Sequence, residues 1–240
     1  MTARPAALVA LVAPVALFAL VALIACASPA EAQVGYPPAA SPFRDLVYKQ
    51  SVNAEAGFFV PRRDPAGVAP QSGPVIGVRY GVQFANPLVV SVRVATAFTE
   101  RDVIDPAAAP ADRIVGTQTA QLMMADVNIG VALTGFRSWR HLVPEVSLGA
   151  GFVSDFQGAD AGGYKFGAPF ALSATGGARW VPGGRWQLRA DLTDRLFKIS
   201  YPQTYYQTTG GEPVLGPRES NSRWTHNPTI SIGIGYLFDR

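Results

Sequence analysis

Few side chains in this sequence could do acid–base or nucleophilic chemistry. Its histidines are His141 and His226, and its one cysteine is Cys26. His226 follows closely on Ser220, Ser222 and Thr225. A histidine base beside a hydroxyl, oriented by a carboxylate, would be the arrangement of a hydrolase. Asp155 and Asp160 suggest a second chemistry, calcium held with backbone carbonyls, although their spacing is not that of an EF-hand loop. The sequence carries no metal-ligand cluster, phosphate-binding glycine loop or redox cysteine pair. No catalytic, cofactor-binding or metal residue is therefore assigned, and no cofactor is expected.

The charges that recur at alternate positions are more informative. Glu55, Arg79, Arg93, Asp126, Glu145, Arg179, Arg189 and Asp191 each stand between apolar neighbours, and Arg195 continues the same register between Asp194 and Leu196. Period-two alternation is the signature of a strand with one polar and one apolar face. Eight such segments follow one another. Their apolar registers run Val52–Val60, Ile76–Phe84, Val90–Phe98, Met123–Leu133, Val146–Phe152, Phe170–Trp180, Trp186–Leu192 and Ile230–Phe238. The seventh loses register near Leu196-Phe197, which reads as a bulge. No stretch keeps a helical period over three turns.

The connections alternate in length. Asn86-Pro87, Gly135–Arg140 and Pro182-Gly183-Gly184 are short, whereas Pro61–Pro74, Arg101–Gln118, Gln157–Gly167 and Ser200–Thr225 are long. An antiparallel meander gives this order when its two ends face different surroundings, as short periplasmic turns and long outer loops do.

Ahead of these segments, residues 1–32 read as a signal peptide. Arg4 precedes an apolar run from Ala6 to Ala25, and Ala30-Glu31-Ala32 fits a cleavage site. Leu23-Ile24-Ala25-Cys26 resembles a lipobox, so lipidation of Cys26 stays open as an alternative processing route. Residues 33–46, rich in proline and alanine, read as a flexible lead-in, and residues 47–240 as the barrel domain. The net charge of +3 is small, and no basic cluster is interleaved with aromatics, which excludes nucleic acid as an expected partner.

Two faces of each strand leave two solvents to assign. A face meeting water would be roughly a quarter to a third charged, but the polar face here is dominated by Gly, Ser, Ala and Asn. Small residues suit the interior of a narrow eight-stranded barrel, and the isolated charges there should pair as a lumen network. Arginine suits such pairing better than lysine, and lysine occurs only at Lys49, Lys165 and Lys198. Phe84, Trp139, Trp180, Trp186, Tyr236 and Phe238 fall near the short turns. Phe58, Phe98, Phe152, Phe170 and Trp224 fall near the long loops. Two such belts match interfacial girdles at the rims of a membrane barrel. The expected fold is all-β, an eight-stranded antiparallel up-and-down transmembrane β-barrel.

On these segments and on the closing pattern Ile232-x-Ile234-x-Tyr236-x-Phe238, the chain resembles the small eight-stranded outer-membrane barrels of diderm bacteria, the OmpA transmembrane domain, OmpX and OmpW kind. In that family the last strand ends in an aromatic; here Asp239-Arg240 follow. The resemblance implies location in the outer membrane, contact with its lipids and lipopolysaccharide, and handling by the barrel-assembly machinery. No peptidoglycan-binding domain is expected after the barrel, since the strand segments run to the end of the sequence.

For function, the expectation is a barrel with a side-chain-plugged lumen and a structural or surface-interaction role through long extracellular loops, whose ligand is unidentified. Tyr201, Tyr205 and Tyr206 form a candidate recognition loop. Two other classes stay open: a small-solute channel or hydrophobic-compound transporter, and a lipid-modifying enzyme. Against the last, His226-Asn227-Pro228-Thr229 departs from the His-x-Ser pattern of lipid A deacylase barrels, so the expectation is not an enzyme.

Overall fold

The computed structural model of the chain describes residues 41–207 and 212–239. The expected signal peptide, Cys26 and most of the lead-in lie outside the described residues. Ten strands follow in chain order: β1 (Phe43–Asp45), β2 (Gln50–Phe59), β3 (Gly73–Gln83), β4 (Leu88–Ile104), β5 (Ile114–Ala132), β6 (Arg137–Trp139), β7 (Leu142–Ser154), β8 (Phe170–Gly183), β9 (Trp186–Ser200) and β10 (Ser222–Phe238). Eight of them make a ring. β2, β3, β4 and β5 pair in sequence, β5 pairs with β7, and β7, β8, β9 and β10 continue the series. β10 then pairs antiparallel with β2, Ile232 opposite Ala56, and closes the barrel. Closure removes the unpaired sheet edges that an open meander of this length would expose.

The two three-residue strands stand apart from the ring. β1 pairs with β6 at the short-turn end, Phe43 opposite Trp139. The segment expected to be a flexible lead-in therefore ends in paired structure. Backbone bonds from Leu46 N to the carbonyl of Phe136 and from Arg140 N to that of Pro42 hold it there.

Strand bounds correct three other expectations. Half of the connection expected over Arg101–Gln118 is strand: β4 and β5 stay paired out to Ile104 opposite Ile114, so this hairpin projects beyond its neighbours. β10 likewise begins at Ser222, inside the expected last loop. The turn between β8 and β9 is centred on Gly184-Arg185, with Gly183 paired to Trp186 and Gly184 at a φ of 68°. A β-carbon at that φ is disfavoured, which is why glycine occupies it.

Nor is there a bulge at Leu196-Phe197. β9 alternates without interruption to Ser200, and Phe197 and Ile199 point inward and are buried. What changes along β9 is the chemistry of the inward face, polar up to Arg195 and apolar beyond it.

The outward face is apolar on every strand of the ring. Leu148 and Ile232 are 71% and 69% exposed, and Val78, Val92, Val127, Leu172 and Leu192 share that surface. A soluble protein does not leave apolar surface contiguous around its whole girth. An outward apolar band with polar residues turned inward is the surface of a barrel surrounded by lipid.

Candidate functional site: an ion-paired lumen beneath an aromatic cap

Inward positions of the ring meet across a narrow lumen, and the residues there divide into tiers. At the short-turn end Ala132, Val143, Val181 and Leu237 make a small apolar cluster, with Leu46 and Tyr48 packed against it. Above it lies the charged tier. All nine charges singled out from the sequence are inward and buried, with Arg93 and Arg195 each 1% exposed.

Seven of the nine form one alternating chain. Arg93 Nε meets Glu55 Oε2 at 2.7 Å, and Glu55 Oε1 accepts from Arg79 Nε at 2.7 Å. Arg79 Nη2 lies 3.2 Å from Asp191 Oδ2, which also accepts from Arg189 Nε at 2.5 Å. Arg189 Nη1 donates to Glu145 Oε2 at 2.5 Å, and Arg179 Nε lies 3.3 Å from the same oxygen. The other two, Asp126 and Arg195, pair at 2.9 Å, with Asn128 bonded to the carboxylate. Strands from around the ring supply these groups, so the tier ties opposite walls together.

Buried ions are tolerated only when paired and hydrogen-bonded, and smaller inward residues supply part of that bonding. Thr193 and Ser231 accept from Arg93 at 3.2 and 3.4 Å. Gln187 donates to Asn53 at 2.7 Å, and Ser173 to Asn128 at 2.9 Å. Glycines make the space: a β-carbon on Gly177 would collide with the Asp191 carboxylate, and one on Gly149 with Asn128.

The long-loop end is different. Phe59, Leu122, Met124, Val153, Phe166, Phe197 and Ile199 form a buried cluster with Val68, Tyr164, Tyr201, Tyr205 and Leu215 from the loops. Phe166 meets Phe197 edge-on with centroids 5.7 Å apart, and Tyr201 stacks on Tyr205 at 6.5 Å. Within this cap Arg101, fully buried, donates to Asp160 and lies 5.0 Å over the Tyr164 ring. Burial, with the Asp64 carboxylate nearby, pushes the Tyr164 hydroxyl well above the usual tyrosine range; burial beside Asp160 does the same to Tyr205.

This placement corrects the expected recognition loop. Tyr201 and Tyr205 are interior residues of the cap, because the loop folds back over the barrel mouth. Only Tyr206 stays partly exposed, its hydroxyl donating to the carbonyl of Ser220 at 2.8 Å. Asp160, weighed above as a calcium ligand, instead accepts from Arg101, Gly162 N and Tyr164 N. Among the described residues no group of three or more His, Cys, Asp and Glu could hold a metal.

His226 faces outward near the long-loop rim, and its Nδ1 lies 2.6 Å from Asp194 Oδ2. The hydroxyls near it in sequence are directed elsewhere: Thr225 bonds to the carbonyl of Phe197 and Ser222 to Asn221. Among the described residues a carboxylate and an imidazole meet there without a nucleophile bonded to either. His141 Nδ1 is 3.0 Å from the carbonyl of Val181, at the opposite end.

The interfacial aromatics separate as their positions along the strands require. Phe84, Trp139, Trp180, Trp186, Tyr236 and Phe238 lie at the short-turn rim, where Trp186 meets Tyr236 edge-on at 5.4 Å and Phe238 stacks on Tyr80 at 6.3 Å. Trp224 lies at the other rim, 50% exposed. With a closed ring of eight strands, an apolar exterior and a charged interior, the architecture is decided. The fold is an eight-stranded transmembrane β-barrel.

No family model matches the sequence, and no curated protein matches it. Solved structures are similar at low identity. The outer membrane protein OprG from Pseudomonas aeruginosa is 13% identical, with 80% of this chain and 98% of that one covered and a TM-score of 0.47. Neisserial surface protein A is 13% identical over 82% of this chain and 98% of its own, with a TM-score of 0.44. Ail of Yersinia pestis, solved with the heparin analogue sucrose octasulfate, is 13% identical over 79% and 99%, with a TM-score of 0.36.

Sequence reasoning missed the cap, including Arg101, Tyr164 and the inward Leu122, Met124 and Phe197. One signal was available. At the long-loop ends apolar residues stand side by side, as in Phe58-Phe59, Leu122-Met123-Met124 and Leu196-Phe197. Such doublets mean that both faces of the strand are covered by apolar material.

Proposed function

We propose that the protein is an outer-membrane barrel of a diderm bacterium, with a lumen plugged by its own side chains and a structural or surface-interaction role exercised through its long loops. The observation that carries this reading is the continuous chain from Arg93 to Arg179, which crosses the lumen beneath a packed cap. Conduction would have to break several buried, mutually linked ion pairs at once, which is strongly unfavourable in a narrow interior. The short turns face the periplasm and the long loops the cell exterior. Outer-leaflet lipid and lipopolysaccharide contact the apolar band, and the barrel-assembly machinery reads the last strand through Phe238. Surface contacts fall to the exposed loop residues, such as Arg62, Lys165 and Arg218, because Tyr201 and Tyr205 of the last loop are engaged within the cap.

Two measurements test the reading. Membrane-extracted protein should migrate differently in gels before and after boiling, as closed barrels do. In planar bilayers it should show no stable single-channel conductance. Steady conductance, or solute-selective uptake into liposomes, would replace the plug with the channel reading. Altered lipid composition in overexpressing cells would replace it with the enzyme reading through Asp194 and His226.

A further inference from the structure

The alternating chain in the lumen is unequal at its two ends. Its seven members are four arginines and three carboxylates, with an arginine at each end, and the separate Asp126–Arg195 pair is neutral. One positive charge is therefore left over among these nine buried groups. At one end, Arg93 is bonded further to Thr193 and Ser231. At the other, Arg179 is 7% exposed, shares Glu145 with Arg189 at the longer distance of 3.3 Å, and leaves Nη2 buried without a hydrogen-bond partner.

Arg179 also lines two cavities. The inner one is bounded by Lys49, Arg79, Arg179 and Arg189, against the single carboxylate of Glu145, with Ser51, Ser91 and Gln83 adding neutral polar groups. The second opens at the short-turn mouth, between Tyr48, Ser138 and His141. Arg79 and Arg189 are also neutralised by Glu55 and Asp191, so the electropositive character of the inner space comes from Arg179, which shares its only carboxylate, and from the exposed Lys49 at its rim. Its free interior has room for roughly one or two water-sized bodies, too little for a carboxylic acid or a phosphate ester.

We propose that this inner cavity is a binding site for one small monovalent anion, chloride, which completes the charge chain at Arg179 and is reached from the short-turn mouth. A buried guanidinium needs its donors satisfied and its charge compensated. A spherical anion accepts from several donors without a preferred direction, so it fits a site built from the ends of Arg179, Arg79 and Lys49. Water would satisfy the donors but leave the surplus charge.

The test uses the full-length barrel, folded in detergent micelles, with chloride exchanged for gluconate at constant ionic strength. The thermal midpoint of the wild type should rise with chloride and saturate, and crystals grown in bromide should show an anomalous peak beside Arg179. In R179Q the apparent chloride affinity should fall by about tenfold or more, the loss of one charged hydrogen bond. In K49Q it should fall less. Heat-modifiable migration establishes that each variant is folded; should R179Q fail to fold, the bromide peak and K49Q carry the test. A chloride-independent midpoint together with no bromide peak would overturn the site and leave water only in the cavity. An undiminished chloride response in folded R179Q would overturn the assignment to Arg179.

Discussion

The interior of this barrel is built in two ways, and the contrast between its charged tier and its cap explains what each contributes. In the charged tier each group depends on a named partner at a definite distance, as Glu55 does on Arg79 and Arg93, both at 2.7 Å. In the cap most members have many neighbours and no single indispensable one; Leu122, Met124, Phe166 and Phe197 hold together by packing. The first device is directional and intolerant of a missing member, because a lone buried ion keeps its full desolvation penalty. The second is tolerant in geometry and loses free energy in proportion to what is removed. Placing the directional device at the waist and the adaptable one under the loops matches rigid strands with rigid partners and irregular loops with a filler that accommodates them.

The largest expected effect comes from breaking the charged tier at one of its shared carboxylates. Glu55→Gln leaves Arg79 and Arg93 without their common partner and should cost about 4 kcal/mol, read as a shift in the urea midpoint of the folded barrel in micelles. A loss no greater than that of a cap variant would erase the distinction between tiers. Leu122→Ala, in the cap, should cost about 3 kcal/mol, with the ion pairs intact and the strand content unchanged by circular dichroism.

A pH titration separates the tiers in another way. The Tyr164 and Tyr205 hydroxyls are pushed up by burial, so the folded cap keeps its protons where the unfolded chain would lose them. For a group raised in the folded state, stability is fully present below the unfolded value, about 10 for tyrosine, and is lost as pH rises beyond it. Tyrosinate absorbance should therefore lag in folded protein above about pH 10. It should appear together with loosening of the long loops, followed by limited proteolysis. Simultaneous titration of all tyrosines at the ordinary value would contradict a closed cap.

The smallest effect is expected outside both tiers. Arg137 and Asp45 pair at 3.0 Å between β6 and β1, with side chains 64% and 83% exposed. Arg137→Ala should change stability by less than about 1 kcal/mol, and a larger loss would make the β1–β6 pair a structural lock on the mouth.

The ring of eight strands, the two aromatic rims and the inward direction of the nine charges were legible as soon as residues were read two apart, because pleating sends alternate side chains to opposite faces. Glu55, Arg93 and Asp126 were visible for that reason, each a charge between apolar neighbours. The cap was not legible, because at Phe58-Phe59 and Leu196-Phe197 both faces are apolar and alternation disappears. Its aromatic half also comes from loops, where no period exists.

By itself, then, the sequence determined the eight ring strands, the facing of their central residues and the identity of the lumen charges, all consequences of local geometry. Only the tertiary structure decided which carboxylate serves which arginine, that Tyr201 and Tyr205 turn inward, and that Arg179 ends the chain with a donor unmet. The physical reason is that partners such as Arg93 and Ser231, or Gln187 and Asn53, lie more than a hundred residues apart. They are brought together by ring closure, and no local pattern encodes that meeting.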